Sequence, residues 1–259
     1  MDLEPGDRLK FIGCEIIYRE ACKLVAASPF RVDVEFLPKG LHDLGTSGML
    51  SRLQQAIDAV EAAAAPGRSG PAYKAVLLGY ARCNNGVAGL RARSIPLVVP
   101  KAHDCITFFF GGRRAYREYF DAYPGTYFHT TGWLERNDPR VSGEQGVMDQ
   151  LGLNVSYEDL VAKYGQDNAD YVREVLGDAW RNYSRLCYIE MGAADERAFI
   201  ERSRAEAEDR GWQFERRQGD WSLLEKLFAG RWDDDFVIVP PGSAIVPRND
   251  EEVLGTESF

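Results

Sequence analysis

Apolar positions along the chain fall into short runs separated by polar, periodic stretches. The first run, Leu9 to Ile17 (LKFIGCEII), is rich in isoleucine and phenylalanine, the pattern of a strand buried on both faces, and carries Cys14 near its C-terminal end. Tyr18 to Ala27 has helical spacing, Val32 to Leu37 alternates like a strand, and Leu50 to Ala65 is an alanine-rich helix stopped by Pro66-Gly67. Tyr73 to Leu78 is a further buried strand. It runs into the loop Gly79-Tyr-Ala-Arg-Cys83-Asn84-Asn85-Gly86, whose Asn-Gly step marks a turn. Ile95 to Val99 is another strand and delivers Pro100-Lys-Ala-His103-Asp104-Cys105 at its end. Alternating strands and helices force parallel pairing with right-handed crossovers, so the C-terminal strand ends, with their cysteines, fall on one edge of the sheet. Open α/β sheets place ligands at that edge.

Phe108 to Asp121 is aromatic and basic and predicts a helix, and Tyr127 to Trp133 predicts a short strand entering a loop. From Leu134 to Asn154 the chain is polar and reads as an excursion or lid, followed by one or two helices over Tyr157 to Trp180. The last third repeats the earlier alternation: strand Leu186 to Met191, helix Asp195 to Arg210, strand Trp212 to Arg216, helix Trp221 to Ala229, strand Phe236 to Val239. The expected fold is therefore α/β, with mostly parallel open sheets in two similar Rossmann-like lobes and a cleft between them. The lobes are placed at residues 1–130 and 185–259, the second with an acidic tail, and residues 131–184 form the polar excursion and helical connector.

Composition narrows the partners. With 40 Asp and Glu against 31 Lys and Arg there is no basic excess for phosphate backbones, which argues against nucleic acid. The N-terminal segment lacks the pattern of a signal peptide, and no apolar run approaches the roughly 20 residues of a membrane span. A cytoplasmic protein acting on a small molecule, without a membrane partner, is the expectation. Five cysteines, an odd number, make a poor disulfide framework but suit buried thiols or metal ligands.

Thiolate and imidazole are the preferred ligands of zinc and related ions, and three or four must converge in space. Cys14, Cys83, Cys105 and His103 are the candidates. No C-x-x-C pair supports them, and the competing account is that all are ordinary buried thiols. Asp104 is a natural N-cap, which would set Cys105 in the first turn of a helix, where the dipole favours a thiolate. His103 and Asp104 are the candidate catalytic pair. Asn84, Asn85 and Gly86 follow a strand and offer backbone N–H groups to a phosphate or carboxylate of a cofactor, without matching a nucleotide-binding motif. Lys101, Arg82, Arg113 and Arg114 lie close in sequence and could draw an anionic substrate. Cys22, in a helix, and Cys187, in a strand, are expected in the core.

LLGYARCNNGVAGLRA, IPLVVPKAHDCITFFFGGRRAYREYF, PGTYFHTTGW and FIGCEIIYREA together resemble the family called domain of unknown function 1638. The family is similar in the positions of Cys14, Cys83, His103, Asp104 and Cys105. It departs at Ala81 and Asn84, where its pattern has glycine. The resemblance implies a setting in anaerobic one-carbon and methylamine metabolism that uses corrinoid proteins. The leading expectation is a zinc-dependent enzyme for methyl or other one-carbon transfer, with a corrinoid protein as a partner. The alternatives are an iron–sulfur enzyme with three cysteine ligands, or a non-catalytic module that binds a small molecule or a corrinoid partner.

Overall fold

The computed structural model describes residues 1–64, 72–83, 85–136, 161–162, 165–166 and 182–259, leaving aside the side chains of residues 42 and 43. Most of the expected polar excursion, the helices expected over Tyr157 to Trp180, and Asn84 lie outside the described residues.

The chain divides into two compact units, residues 1–119 with 219–259, and residues 120–218. In the first, strands β1 (Arg8–Cys14), β2 (Arg31–Leu37), β3 (Ala75–Gly79) and β5 (Leu97–Pro100) form a sheet in the order β2-β1-β3-β5. All three of these pairings are parallel. The central strands are buried on both faces, as their unbroken apolar runs require, whereas the residues of edge strand β2 are half-buried or exposed throughout. Helix α1 (Tyr18–Ala27) links β1 to β2, and α2 (Gly45–Ala63) follows β2, burying Met49, Leu53, Ile57 and Val60 along one helical stripe. Because β2 lies on one side of β1 and β3 on the other, the chain reverses its direction of travel across the sheet between β1 and β3. Such a switch point leaves a crevice outside the C-terminal strand ends.

Close packing fixes that point. Gly13 and Gly79 are register partners across β1 and β3, and the Phe11 ring lies over both. A Cβ on either glycine would meet that ring, at 2.3 Å for Gly13 and 2.4 Å for Gly79. Phe11 is fully buried and packs on Phe36 and Phe228, with centroids 5.8 and 4.9 Å away.

The expected C-terminal lobe is corrected by the structure. The segment Phe236–Val239 (β9) does not join Leu186 and Trp212 in a unit of its own. It pairs antiparallel with β5 and completes the first sheet. Strands β10 (Ser243–Pro247) and β11 (Leu254–Ser258) form an antiparallel hairpin, and β10 also pairs with β4 (Arg91–Ala92). The first unit further holds α3 (Ile106–Phe109), α7 (Ser222–Phe228) and most of α4 (Arg113–Ala122).

In the second unit β6 (Thr126–His129), β7 (Arg185–Glu190) and β8 (Gln213–Gln218) form a parallel sheet in that order. The third strand expected from the C-terminus is thus supplied by Thr126–His129 instead. Helices α5 (Thr131–Arg136) and α6 (Arg197–Asp209) accompany it. Leu134, Tyr188 and Ile200 form its core, with Trp133, Phe199 and Phe214 packed against them. The observed fold is mixed α/β with a mostly parallel central sheet. Among the described residues, no helix is long and apolar enough to cross a membrane.

Candidate thiol site at the sheet edge

Cys14 is the last residue of β1, next to the Gly13–Gly79 pair, and Tyr80 is the first residue beyond β3. The chain then continues alongside the segment that leaves β5. Arg82 N–H donates to the Ala102 carbonyl at 2.8 Å, and Cys83 N–H to the His103 carbonyl at 3.1 Å. The two loops therefore extend the parallel ladder past the sheet, which carries Cys83 beside His103-Asp104-Cys105. Cys14, Cys83 and Cys105 are all free thiols.

Cys83 lies close enough for its charge to reach the other two sulfurs. Burial pushes the Cys14 thiol up to about 12, and the nearby charge of Cys83 adds to the rise. Burial also pushes Cys83 up to about 12, with the Asp104 carboxylate reinforcing it, although N–H groups of Ala81 and Cys105 favour its thiolate. Cys105 is held well above its ordinary value by burial, then by Cys83, Asp104 and Cys14. Cys83 and Cys105 keep some exposed surface as residues, but their sulfurs lie where desolvation dominates. A thiol so placed is a poor nucleophile until a positive charge arrives.

Beside them stands the Tyr80 phenol. Its side chain is buried, its hydroxyl has no hydrogen-bond partner among the described residues, and after burial the largest influences on its ionisation are Cys14 and Cys83. Sequence reasoning missed this group, because an aromatic residue closing a buried strand looks like core. Leaving a buried hydroxyl unsatisfied costs roughly 1–3 kcal/mol, so it calls for an explanation.

Asp104 stands one residue before the N-cap position of α3, which Cys105 occupies, yet its side chain takes the first-turn N–H groups. Its Oδ1 accepts from the N–H groups of Ile106 and Thr107 at 3.0 and 3.4 Å, while Tyr116 donates its hydroxyl to Oδ2 at 2.8 Å. Burial nevertheless raises its carboxyl above the usual range. His103 is exposed, and the contact its backbone makes here is the carbonyl bond to Cys83. Among the described residues, no group of three or more His, Cys, Asp or Glu side chains stands in a ligating arrangement.

In the loop, Cys83 and Asn85 have positive φ angles of 35° and 62°. Non-glycine residues adopt that region at a cost, and such strain clusters at functional positions. Gly86 N–H donates to the Cys83 carbonyl at 2.9 Å, so it is engaged within the turn. Gly86 is small for packing reasons, since a Cβ there would meet the Met49 sulfur at 2.2 Å. Asn85 accepts from Arg82 Nε through its side-chain oxygen. Cys187 is fully buried in β7, as expected, and Cys22 is half-buried in α1.

One other constellation resembles catalytic machinery. In the second unit His129 Nδ1 lies 2.9 Å from Ser203 Oγ, and Nε2 lies 3.8 Å from Glu206 Oε2. Ser203 is wholly buried within α6 and donates its hydroxyl proton to the Phe199 carbonyl at 2.8 Å. Its lone pair therefore receives the imidazole proton, and no substrate reaches it. Burial, reinforced by Arg202 and Arg210, lowers the His129 pKa to about 3 and keeps the ring neutral. This is a packing contact.

The sequence matches the family described as Protein of unknown function (DUF1638) over residues 36–228. The chain belongs to this DUF1638 family. Cys83, His103, Asp104 and Cys105 lie inside the matched stretch of the DUF1638 member, and Cys14 and the hairpin β10–β11 lie outside it. No curated protein and no solved structure matches the chain.

Proposed function

We propose that this DUF1638 protein is a metal-dependent group-transfer enzyme whose ion is held by Cys14, Cys83 and Cys105. The observation that carries the reading is the gathering of three thiols from three separate segments at the C-terminal edge of a parallel sheet, close enough that the charge of Cys83 raises both Cys14 and Cys105. Three buried thiols gain little from one another as neutral groups. A zinc-class cation is what would let them ionise together.

The donor set fits such an ion. Three soft sulfurs and a phenol without a partner are present, the phenol being able to donate to a thiolate or to a bound ligand. Ligation needs the sulfurs to draw closer than they stand now, and Cys83 sits in a turn whose backbone carries positive φ angles. When bound, an ion in a thiolate-rich site supplies Lewis acidity suited to activating a sulfur nucleophile more than to polarising a carbonyl. Methyl or another one-carbon group is the unit transferred in this reading. The corrinoid-linked setting implied by the family resemblance supplies such units. His103, at the exposed rim, serves as a further ligand or as a proton carrier, with Asp104 fixing the helix start behind it.

Metal analysis of the anaerobically purified protein tests the proposal. One zinc-class ion per chain is expected, lost in Cys83→Ala and Cys105→Ala and retained in Cys22→Ala. Iron with inorganic sulfide on the same sulfurs would replace zinc by a cluster. Metal content unchanged in Cys83→Ala would overturn the site.

A further inference from the structure

A cationic group lies on the same sheet edge as the thiols and is closed by a distant piece of chain. Lys101 follows β5, Arg113 opens α4, and Arg82 directly precedes Cys83. All three meet the turn between β10 and β11. Lys101 Nζ is paired with the Glu252 carboxylate, and Arg113 Nη2 lies 3.7 Å from Glu252 Oε1. Arg82 donates to the Arg248 carbonyl at 3.0 Å and to Asn249 Oδ1 at 3.5 Å.

The charges do not balance. Arg82 takes only neutral acceptors here, and the other carboxylate facing into the turn, Asp250, is held by Arg248 at 2.6 Å. Glu252 therefore serves both Lys101 and Arg113. Arg113 Nη1 is buried with no hydrogen-bond acceptor among the described residues. A guanidinium normally spends its parallel donors on a two-oxygen acceptor, and here one nitrogen is buried without a partner while the other stands 3.7 Å from Glu252, so the group lacks the close acceptor that a displacing oxyanion would supply. The Lys101 side chain is only 10% exposed whereas that of Glu252 is 43% exposed, so the cation is built in and the carboxylate sits at the outside.

The turn itself is under tension. Val253, a β-branched residue, has φ of 63° while its side chain is buried. Such a backbone costs of order 1–3 kcal/mol and persists only where the surroundings enforce it. Lys101 and Arg113 also fall within the DUF1638 match, and Glu252 beyond it.

We propose that Lys101 and Arg113, flanked by Arg82, are the binding site for a substrate oxyanion, and that Glu252 is an internal stand-in which that oxyanion displaces. The ligand class is a small molecule bearing a carboxylate, sulfonate or phosphate. The anion site rests on the ion pairs alone. Only the further step, that the other end of the same molecule reacts at Cys14, Cys83 and Cys105, rests on the function proposed above.

Calorimetric titration with inorganic phosphate, acetate and methanesulfonate at constant ionic strength tests the site on metal-free protein, so the outcome does not depend on the thiol reading. Glu252→Gln should bind the preferred anion about tenfold more tightly than wild type. Adding Arg113→Met should remove the gain, and Arg114→Met, whose side chain is exposed and paired to Glu118, should keep it. In the wild-type chain the preferred anion should speed amide exchange over residues 249–253, whereas chloride at the same ionic strength should not. Unchanged affinity in Glu252→Gln, a gain that survives Arg113→Met, or exchange indifferent to all three anions would each overturn the proposal.

Discussion

Loading one divalent ion onto the thiol cluster at pH 7 should release three protons. Cys14 and Cys83 are each pushed up to about 12, and Cys105 lies well above its ordinary value. Five pH units below its pKa, a thiol is ionised about once in 10⁵ molecules, and forcing it costs about 7 kcal/mol. A metal ligand must be the thiolate, so each sulfur that enters coordination surrenders its proton. Affinity should then climb about tenfold per pH unit for each thiol, or about a thousandfold for three, until the thiols begin to ionise unaided. Zinc titrations in buffers of different ionisation enthalpy read the proton count directly, from the slope of apparent against buffer enthalpy. Cys83→Ala should give at most two protons and weaker binding. Fewer than two protons in the wild type, or an affinity flat between about pH 6.5 and 8, would refute the assignment of all three sulfurs.

Other consequences are equally measurable. Tyr80→Phe deletes the unpartnered hydroxyl. If that group serves a bound thiolate or ligand, the variant should be as stable as the wild type or slightly more so without metal, yet bind zinc about 10–100-fold more weakly, and equal affinity would make the hydroxyl incidental. Gly79→Ala drives a Cβ into the Phe11 ring, so a loss of about 1–3 kcal/mol is expected in denaturant unfolding, with no loss telling against the described packing. His129, lowered to about 3 in the folded chain against 6.5 for an ordinary histidine, excludes a proton that the unfolded chain accepts. Its contribution is intact above the unfolded value and is lost as pH falls below it, by about 2 kcal/mol at pH 5. His129→Asn should flatten that part of the stability profile, and identical profiles for the two proteins would show the ring to be hydrated.

The strands of the first sheet were legible because runs such as LKFIGCEII and KAVLLG bury both faces, and alternation with helices dictates parallel neighbours. Cys14, Cys83 and Cys105 could be assigned to one edge on those grounds alone. The direction of FVIV could not. An apolar run of four looks the same whichever way it pairs, and its partner β5 stands far away in the chain. Tyr80 was masked by its residue type. Glu252 was hidden by distance, since 151 positions separate it from Lys101. Lys101 and Arg113 could be flagged as cations from the sequence, but the partner that reveals their purpose could not.

The chain leaves the first unit near residue 119 and returns at 219, and the exit and re-entry are tied together: Asp220 bridges Phe110, with its N–H on the Phe109 carbonyl at 2.9 Å. In sequence, the second unit is an insertion within the first. Every thiol of the candidate site is synthesised before that insertion begins, whereas β9, which seals the sheet beside β5, and the acidic turn, which covers the cations, are synthesised last. On the ribosome the site therefore spends the whole synthesis of the second unit without its final edge. A ribosome-bound chain stopped just past residue 218 would carry all three cysteines with neither β9 nor Glu252 in place.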